Sequence, residues 1–122
     1  MIPAYHFDDN GNVKTKSAVT ALAALAQETR LSIFRMLVEA GPEGRCAGDI
    51  GARLGVAPAT LSFHLAQLAN AGLVQARQHS RFIFYSADFE VMNGIVGFLT
   101  ENCCGGKPCP SAKARRKKTH AA

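Results

Sequence analysis

Apolar positions along the chain fall into blocks with two different periods. From Ser17 the stretch "SAVTALAALAQETRLSIFRMLVEAG" is rich in helix formers, with Val19, Leu22 and Leu25 on one face before "QETR" and Leu31, Phe34, Leu37 and Val38 on another after it. The change of face predicts two helices that meet near Gln27 to Thr29, and Gly41 with Pro42 ends the second. A short helix is predicted over about Ala47 to Leu54, where Ile50 and Leu54 share a face and Gly55 is placed as a C-terminal cap. After the turn "GVA" a longer helix starts at Pro58, a residue suited to the first helical position, and runs to about Ala71 before Gly72 stops it. The period then becomes two. "LVQARQHSRFIFYSA" holds β-prone runs over Val74 to Gln78 and Arg81 to Tyr85 around a polar tip at His79 and Ser80, which predicts a hairpin. A last helix, about Phe89 to Asn102, carries Phe89, Met92, Ile95, Val96 and Leu99 as a nearly continuous apolar stripe.

Two helices joined by a short Gly-containing turn form a helix-turn-helix, and a hairpin behind them makes the fold a winged helix. The expected architecture is mainly α with some β: about five helices and a two-stranded hairpin wing. The stripe on the last helix is hard to bury within so small a domain. It is expected to pair with a symmetry mate, beside the Ala/Leu face of the first helix, in a homodimer.

Within the helix from Pro58, Leu61, His64, Leu65 and Leu68 point one way at 100° per residue, and Ala59, Ser62, Phe63, Ala66 and Gln67 point the other. The first set packs and the second is placed to read. Phe63 in the middle of a polar face suits a thymine methyl group in a major groove, with Thr60, Ser62 and Gln67 bonding to base edges. A single exposed aromatic is the plain alternative. His64 falls among the leucines, as a structural histidine or as a phosphate contact. This helix has no Lys or Arg, so phosphate anchoring is expected from Arg53, Arg77 and Arg81, with His79 at the wing. A two-fold dimer would meet a palindromic double-stranded site with half-sites roughly 34 Å apart or a multiple of it.

Charge changes the picture less than the net +5 suggests. Six of the fourteen cations and none of the nine anions lie between Lys107 and Ala122, leaving residues 1–106 with eight against nine. The excess belongs to a basic tail that can brush phosphates or simply keep the protein soluble. With 122 residues, 48% of them hydrophobic, the chain is long enough for one domain with a real core. That domain is expected over residues 17–104, between a polar arm (1–16) and a Cys/Gly/Pro then basic tail (105–122). No run of about eighteen apolar residues and no signal-peptide pattern occurs, so a cytoplasmic protein without a membrane partner is expected. Clustered cysteines in that compartment more often bind metals or do redox chemistry than staple a fold.

In order and spacing, "QETRLSIFRML", "DIGARLGVAPATLSFHLAQLANAGLV" and "RFIFYSA" resemble segments of the ArsR/SmtB family of winged-helix metalloregulators over about residues 17–103. The most specific part is the reading helix, with "S-x-H-L" and "L-x-x-A-G-L-V". The resemblance implies a homodimeric repressor that leaves its operator when a toxic metal or metalloid binds. Many arsenic sensors of the family carry a "C-V-C" pair before the reading helix. The equivalent "CAGDI" keeps Cys46 but has Gly48 in place of the second cysteine, and a lone thiol cannot chelate. Zinc sensors of the family use Asp and His along the last helix, where this chain offers Asp88, Glu90 and Glu101 without a histidine. "ENCCGGKPC" is similar to the C-terminal cysteine arrangement of one arsenic-responsive subgroup.

Trivalent arsenic or antimony is satisfied by three soft thiolates in a pyramid, which makes Cys103, Cys104 and Cys109 the expected ligands and As(III) or Sb(III) the expected inducer, with no cofactor. Zinc would need a fourth ligand. Zinc with a fourth ligand from His120, Cys46 or a water, cadmium, lead, or a thiol redox switch in which Cys103 or Cys104 pairs with Cys109 are the alternatives. Adjacent cysteines on a regular helix point about 100° apart, so convergence requires the helix to end here, which Gly105, Gly106, Pro108 and Pro110 permit. "CPSAKAR" also fits the C-x5-R spacing of phosphatase-type arsenate reductases. That loop should follow a strand and open a helix, whereas here it follows Gly-Gly and leads into a basic run, so no enzyme is expected.

Overall fold

The computed structural model describes residues 15–108. Among these residues the elements run α1 (Thr15–Leu25), α2 (Glu28–Ala40), β1 (Arg45–Cys46), α3 (Ala47–Leu54), α4 (Pro58–Asn70), β2 (Val74–His79), β3 (Phe82–Ala87) and α5 (Phe89–Thr100). This is a winged helix-turn-helix. Most of the expected arm, and the tail beyond Pro108 with Cys109 and the basic run, lie outside the described residues.

Local chemistry sets most boundaries. The Gln27 side chain accepts the Arg30 N–H at 2.9 Å and so caps α2, which breaks the long apolar stretch into two helices where the face changes. Gly55 ends α3 in the left-handed conformation (φ 66°), which a residue without Cβ adopts at no steric cost, and Pro58 opens α4. Asp88 caps α5 by accepting the Val91 N–H at 3.1 Å, while its other oxygen accepts from Gln75 Nε2 at 2.9 Å and ties the helix to β2.

Ile33 and Leu37 of α2, Ile50 of α3, Leu65 and Leu68 of α4, and Leu73 before the wing are fully buried and form the centre of the core. Two expected faces differ in detail. In α2 the buried residues are Ile33, Phe34 and Leu37, whereas Leu31 is exposed. In α1 the inward residues are Ser17, Ala18 and Ala21, and the bulkier Val19 and Leu22 face outward. Small side chains let α1 lie close on the core, and its larger apolar face is left outside.

The wing hairpin pairs β2 with β3 from Val74↔Ala87 to His79↔Phe82, and turns at Ser80 and Arg81, one residue later than expected, with Ser80 at φ 59°. The sheet has a third strand the sequence did not suggest. β1 pairs antiparallel with the other edge of β3, Arg45↔Tyr85 and Cys46↔Phe84, giving the order β1-β3-β2. Two residues carry no alternation to detect. What brings β1 there is Gly44, which passes so close to the Tyr85 carbonyl that an added Cβ would collide with it. α5 stops at Thr100, two residues earlier than expected, and a single 3-10 turn over Cys103–Gly106 follows. No helix among the described residues is long and apolar enough to cross a membrane.

These packing facts separate two glycines. Gly44→Ala, with a clash and a φ of 72°, is expected to lower unfolding free energy by about 1–3 kcal/mol. Gly48→Ala, in α3 with nothing within 4 Å of the new Cβ, should raise it by up to about 1 kcal/mol. Urea unfolding at fixed protein concentration checks both, and similar stabilities for the two variants would contradict the packing described.

Candidate functional site

The two faces of α4 are sharply divided. Leu61, His64, Leu65 and Leu68 are buried, whereas Ala59, Thr60, Ser62, Phe63, Ala66 and Gln67 are exposed, Phe63 by 58%. The expected reading residues therefore share one open surface on a helix whose start is defined by Pro58. His64 stands apart. Its Nδ1 lies 3.4 Å from Nη1 of Arg30, whose Nε donates to the Ala24 carbonyl at 2.6 Å. A guanidinium only donates, so Nδ1 accepts in this contact. Of the two roles expected for His64, this placement supports the structural one. Arg30 was not singled out in the sequence, because its role depends on α1, α2 and α4 meeting around it.

The expected phosphate anchors sit on two elements. Arg53, on α3, places Nε 3.1 Å from both carboxylate oxygens of Asp49, and Arg45 reaches the same carboxylate through Nη1 at 2.9 Å. Hydrogen bonds from Arg45 and then Arg53 hold the Asp49 carboxyl below the usual carboxylate range. Asp49 thus gathers two guanidinium groups on the outer side of α3, and Arg53 keeps its Nη donors out of the pair. On the wing, Arg77 stacks its guanidinium 5.6 Å from the Phe84 ring centroid and donates to the Glu43 carbonyl at 3.3 Å. That fixes Arg77 midway along the wing, two pairs from the tip. Arg81 lies exposed in the tip turn, next to Phe82, which is 58% exposed. His79 meets Phe84 edge-on at 6.2 Å. The exposed Phe82 and Ile83 give the tip an apolar character that the β-propensity reading treated only as strand signal.

The described part of the thiol cluster lies at the far end of α5. After Thr100 the chain leaves the helix: Asn102 (φ 55°), Cys104 (φ 57°) and Gly105 (φ 63°) are left-handed, and the turn is closed by Gly105 N–H to Asn102 O at 2.9 Å and Lys107 N–H to Cys104 O at 3.1 Å. This irregular backbone brings Cys103 Sγ and Cys104 Sγ to 3.6 Å, with both residues exposed. Two thiolates on one ion at about 2.3 Å and a tetrahedral angle stand about 3.8 Å apart, so the pair has the spacing of a chelate. Cys109, the third expected ligand, lies outside the described residues, and no group of three or more metal-ligating side chains occurs among the described ones. Cys46 sits on a different element, at the N-terminus of α3, half-buried and without a side-chain capping bond.

A family model described as a helix-turn-helix domain matches residues 25–75. The transcriptional activator HlyU of Vibrio cholerae is 32% identical over 87 residues, covering 71% of this chain and 78% of HlyU. A solved structure of HlyU from the same species superposes with a TM-score of 0.59 over 80% of this chain and 99% of HlyU. An ArsR-like transcriptional regulator from Rhodococcus sp. RHA1, 26% identical, reaches a TM-score of 0.62 over 86% of this chain and 89% of its own. A candidate arsenical resistance operon repressor, ArsR, of Halobacterium salinarum is 37% identical over 77 residues, 62% of this chain and 57% of that protein. With the outward face of α4 exposed, a wing behind it and these relatives, the chain belongs to the ArsR family of winged helix-turn-helix transcriptional regulators.

Proposed function

We propose that the protein is a homodimeric repressor that holds palindromic operator DNA through α4 and the wing, and releases it when trivalent arsenic or antimony binds Cys103, Cys104 and Cys109 of one subunit. The observation that carries this reading is the 3.6 Å thiol pair at the end of α5. Few structural roles explain two exposed adjacent thiols turned toward each other, and soft thiolates select thiophilic ions. Cys109 follows five residues after Cys104, within reach of a turn already built from left-handed residues. The Halobacterium relative is named for arsenical resistance, which agrees with this ligand. HlyU is named an activator, so repression here is a reading of its own.

Dimerisation follows from uncovered apolar surface. Val19 and Leu22 of α1 and Val96 and Leu99 of α5 are all exposed, by 59%, 38%, 55% and 61%. A second copy covering these faces would place two α4 helices on one side of the dimer, as a palindrome demands. Thr60, Ser62, Phe63 and Gln67 then read base edges, and Arg53, Arg77 and Arg81 hold phosphates. The sensor and the dimer contact share α5. Drawing a third sulfur to the pair reshapes the end of that helix, shifts the partner against it and changes the spacing of the reading helices.

Fluorescence anisotropy on an operator selected from random duplexes tests the reading, with arsenite titrated in reductant. Arsenite should release the wild type and leave a Cys103→Ser, Cys104→Ser, Cys109→Ser variant bound. Release only by cadmium, zinc or peroxide would keep the scaffold and overturn the ligand. The DNA contacts give a separate expectation. Arg53→Ala, Arg77→Ala and Arg81→Ala should each lower the log–log salt slope of binding by about 1, whereas Phe63→Ala should leave the slope unchanged and cost about 1–3 kcal/mol of base discrimination. An unchanged slope in all three arginine variants would remove them from the interface.

A further inference from the structure

We infer that Cys103 and Cys104 are the site of a reversible two-electron oxidation that closes a disulfide between these adjacent residues. Three observations carry this. Both side chains are exposed to a small oxidant, and their sulfurs already stand 3.6 Å apart, so bonding at about 2.05 Å needs a movement of only about 1.5 Å. The backbone has left the helix: Asn102 and Cys104 are left-handed, and Gly105 and Gly106 follow with φ of 63° and 89°. A regular helix would forbid the eight-membered ring that such a bond closes, because it points neighbouring side chains about 100° apart. Here the two glycines beyond the pair absorb the remaining change in backbone angle.

The chemistry needs one oxidant, hydrogen peroxide. One thiolate attacks a peroxide oxygen, the O–O bond breaks, and a sulfenic acid and hydroxide form. The neighbouring thiolate attacks the sulfenic sulfur, the S–S bond forms and a second hydroxide leaves. The two thiol protons turn both hydroxides into water, so the sulfurs lose two electrons and one peroxide becomes two waters. Adjacent Cα atoms lie about 3.8 Å apart across a trans peptide, short of the usual disulfide span of about 4.4–6.8 Å, so the ring is strained and readily reduced. Closing it removes both thiolates from any thiophilic ion. That last consequence, unlike the disulfide itself, rests on the proposed metalloid site.

The test uses the full chain with Cys46→Ser and Cys109→Ser, which leaves Cys103 and Cys104 as the two thiols of the four-cysteine sequence. One equivalent of hydrogen peroxide should lower the intact mass by about 2 Da, abolish both thiols' reaction with a chromogenic disulfide reagent, and leave single chains on a non-reducing gel; dithiothreitol should restore the mass and the thiol reactivity. A gain of oxygen mass without loss of hydrogen, a covalent link between chains, or thiols that stay fully reactive would overturn the inference. Its failure is separable from failure of the metalloid reading. Ring formation in a protein whose reduced wild type ignores arsenite supports the oxidation site and sinks the metalloid one, and arsenite release without ring formation does the reverse.

Discussion

Burial of one face of α4 governs the rest of the molecule. Leu61, Leu65 and Leu68 pack against Ile33 and Leu37 of α2 and Ile50 of α3, and His64 fills the same face through its contact with Arg30. Once these four side chains are inside, the 100° step of the helix leaves Ser62, Phe63, Ala66 and Gln67 no choice but the surface. The exposed face proposed to read DNA is a by-product of the core. Arg30 extends the same constraint to α1, since its Nε grips the Ala24 carbonyl while its Nη1 meets His64. One side chain of α2 thus links the end of α1 to the buried face of α4.

α5 joins the two ends of the proposed function. Val91 and Ile95 anchor it to the core, Val96 and Leu99 remain uncovered, and its last turn passes directly into the left-handed residues that hold the thiols together. Under the proposed function, an event at the sulfurs therefore reaches the end of the helix whose apolar face is left uncovered. The wing is tethered less elaborately: Arg77 lies on Phe84 and the Glu43 carbonyl, and the apolar tip at Phe82 and Ile83 stands clear of the core.

Much of this was legible in the sequence where the controlling chemistry is local. Pro58, Gly55 and Gly41 mark helix ends because each acts within one turn of its own position, and the inward and outward sets of α4 follow from period alone. Features set by distant partners were not legible. β1 exists because Gly44 approaches Tyr85, forty-one residues away along the chain, and two residues cannot announce a strand. In α1 the pattern marked the apolar residues but not which of them face the core; close approach selected Ala18 and Ala21 over Val19 and Leu22. The turn after α5 was expected from Gly105 and Gly106, yet Asn102 and Cys104 also take left-handed angles, and these bring the sulfurs together.

The central claim is a linkage between thiols and DNA, and linkage is reciprocal. The most direct measurement is the arsenite dissociation constant of the reduced protein, free and saturated with operator, under one set of salt and pH conditions. Operator should weaken arsenite binding by about 5- to 150-fold, the same factor by which arsenite weakens operator binding. Equal arsenite affinity in the two states would mean that the thiols at the end of α5 do not speak to the reading helix.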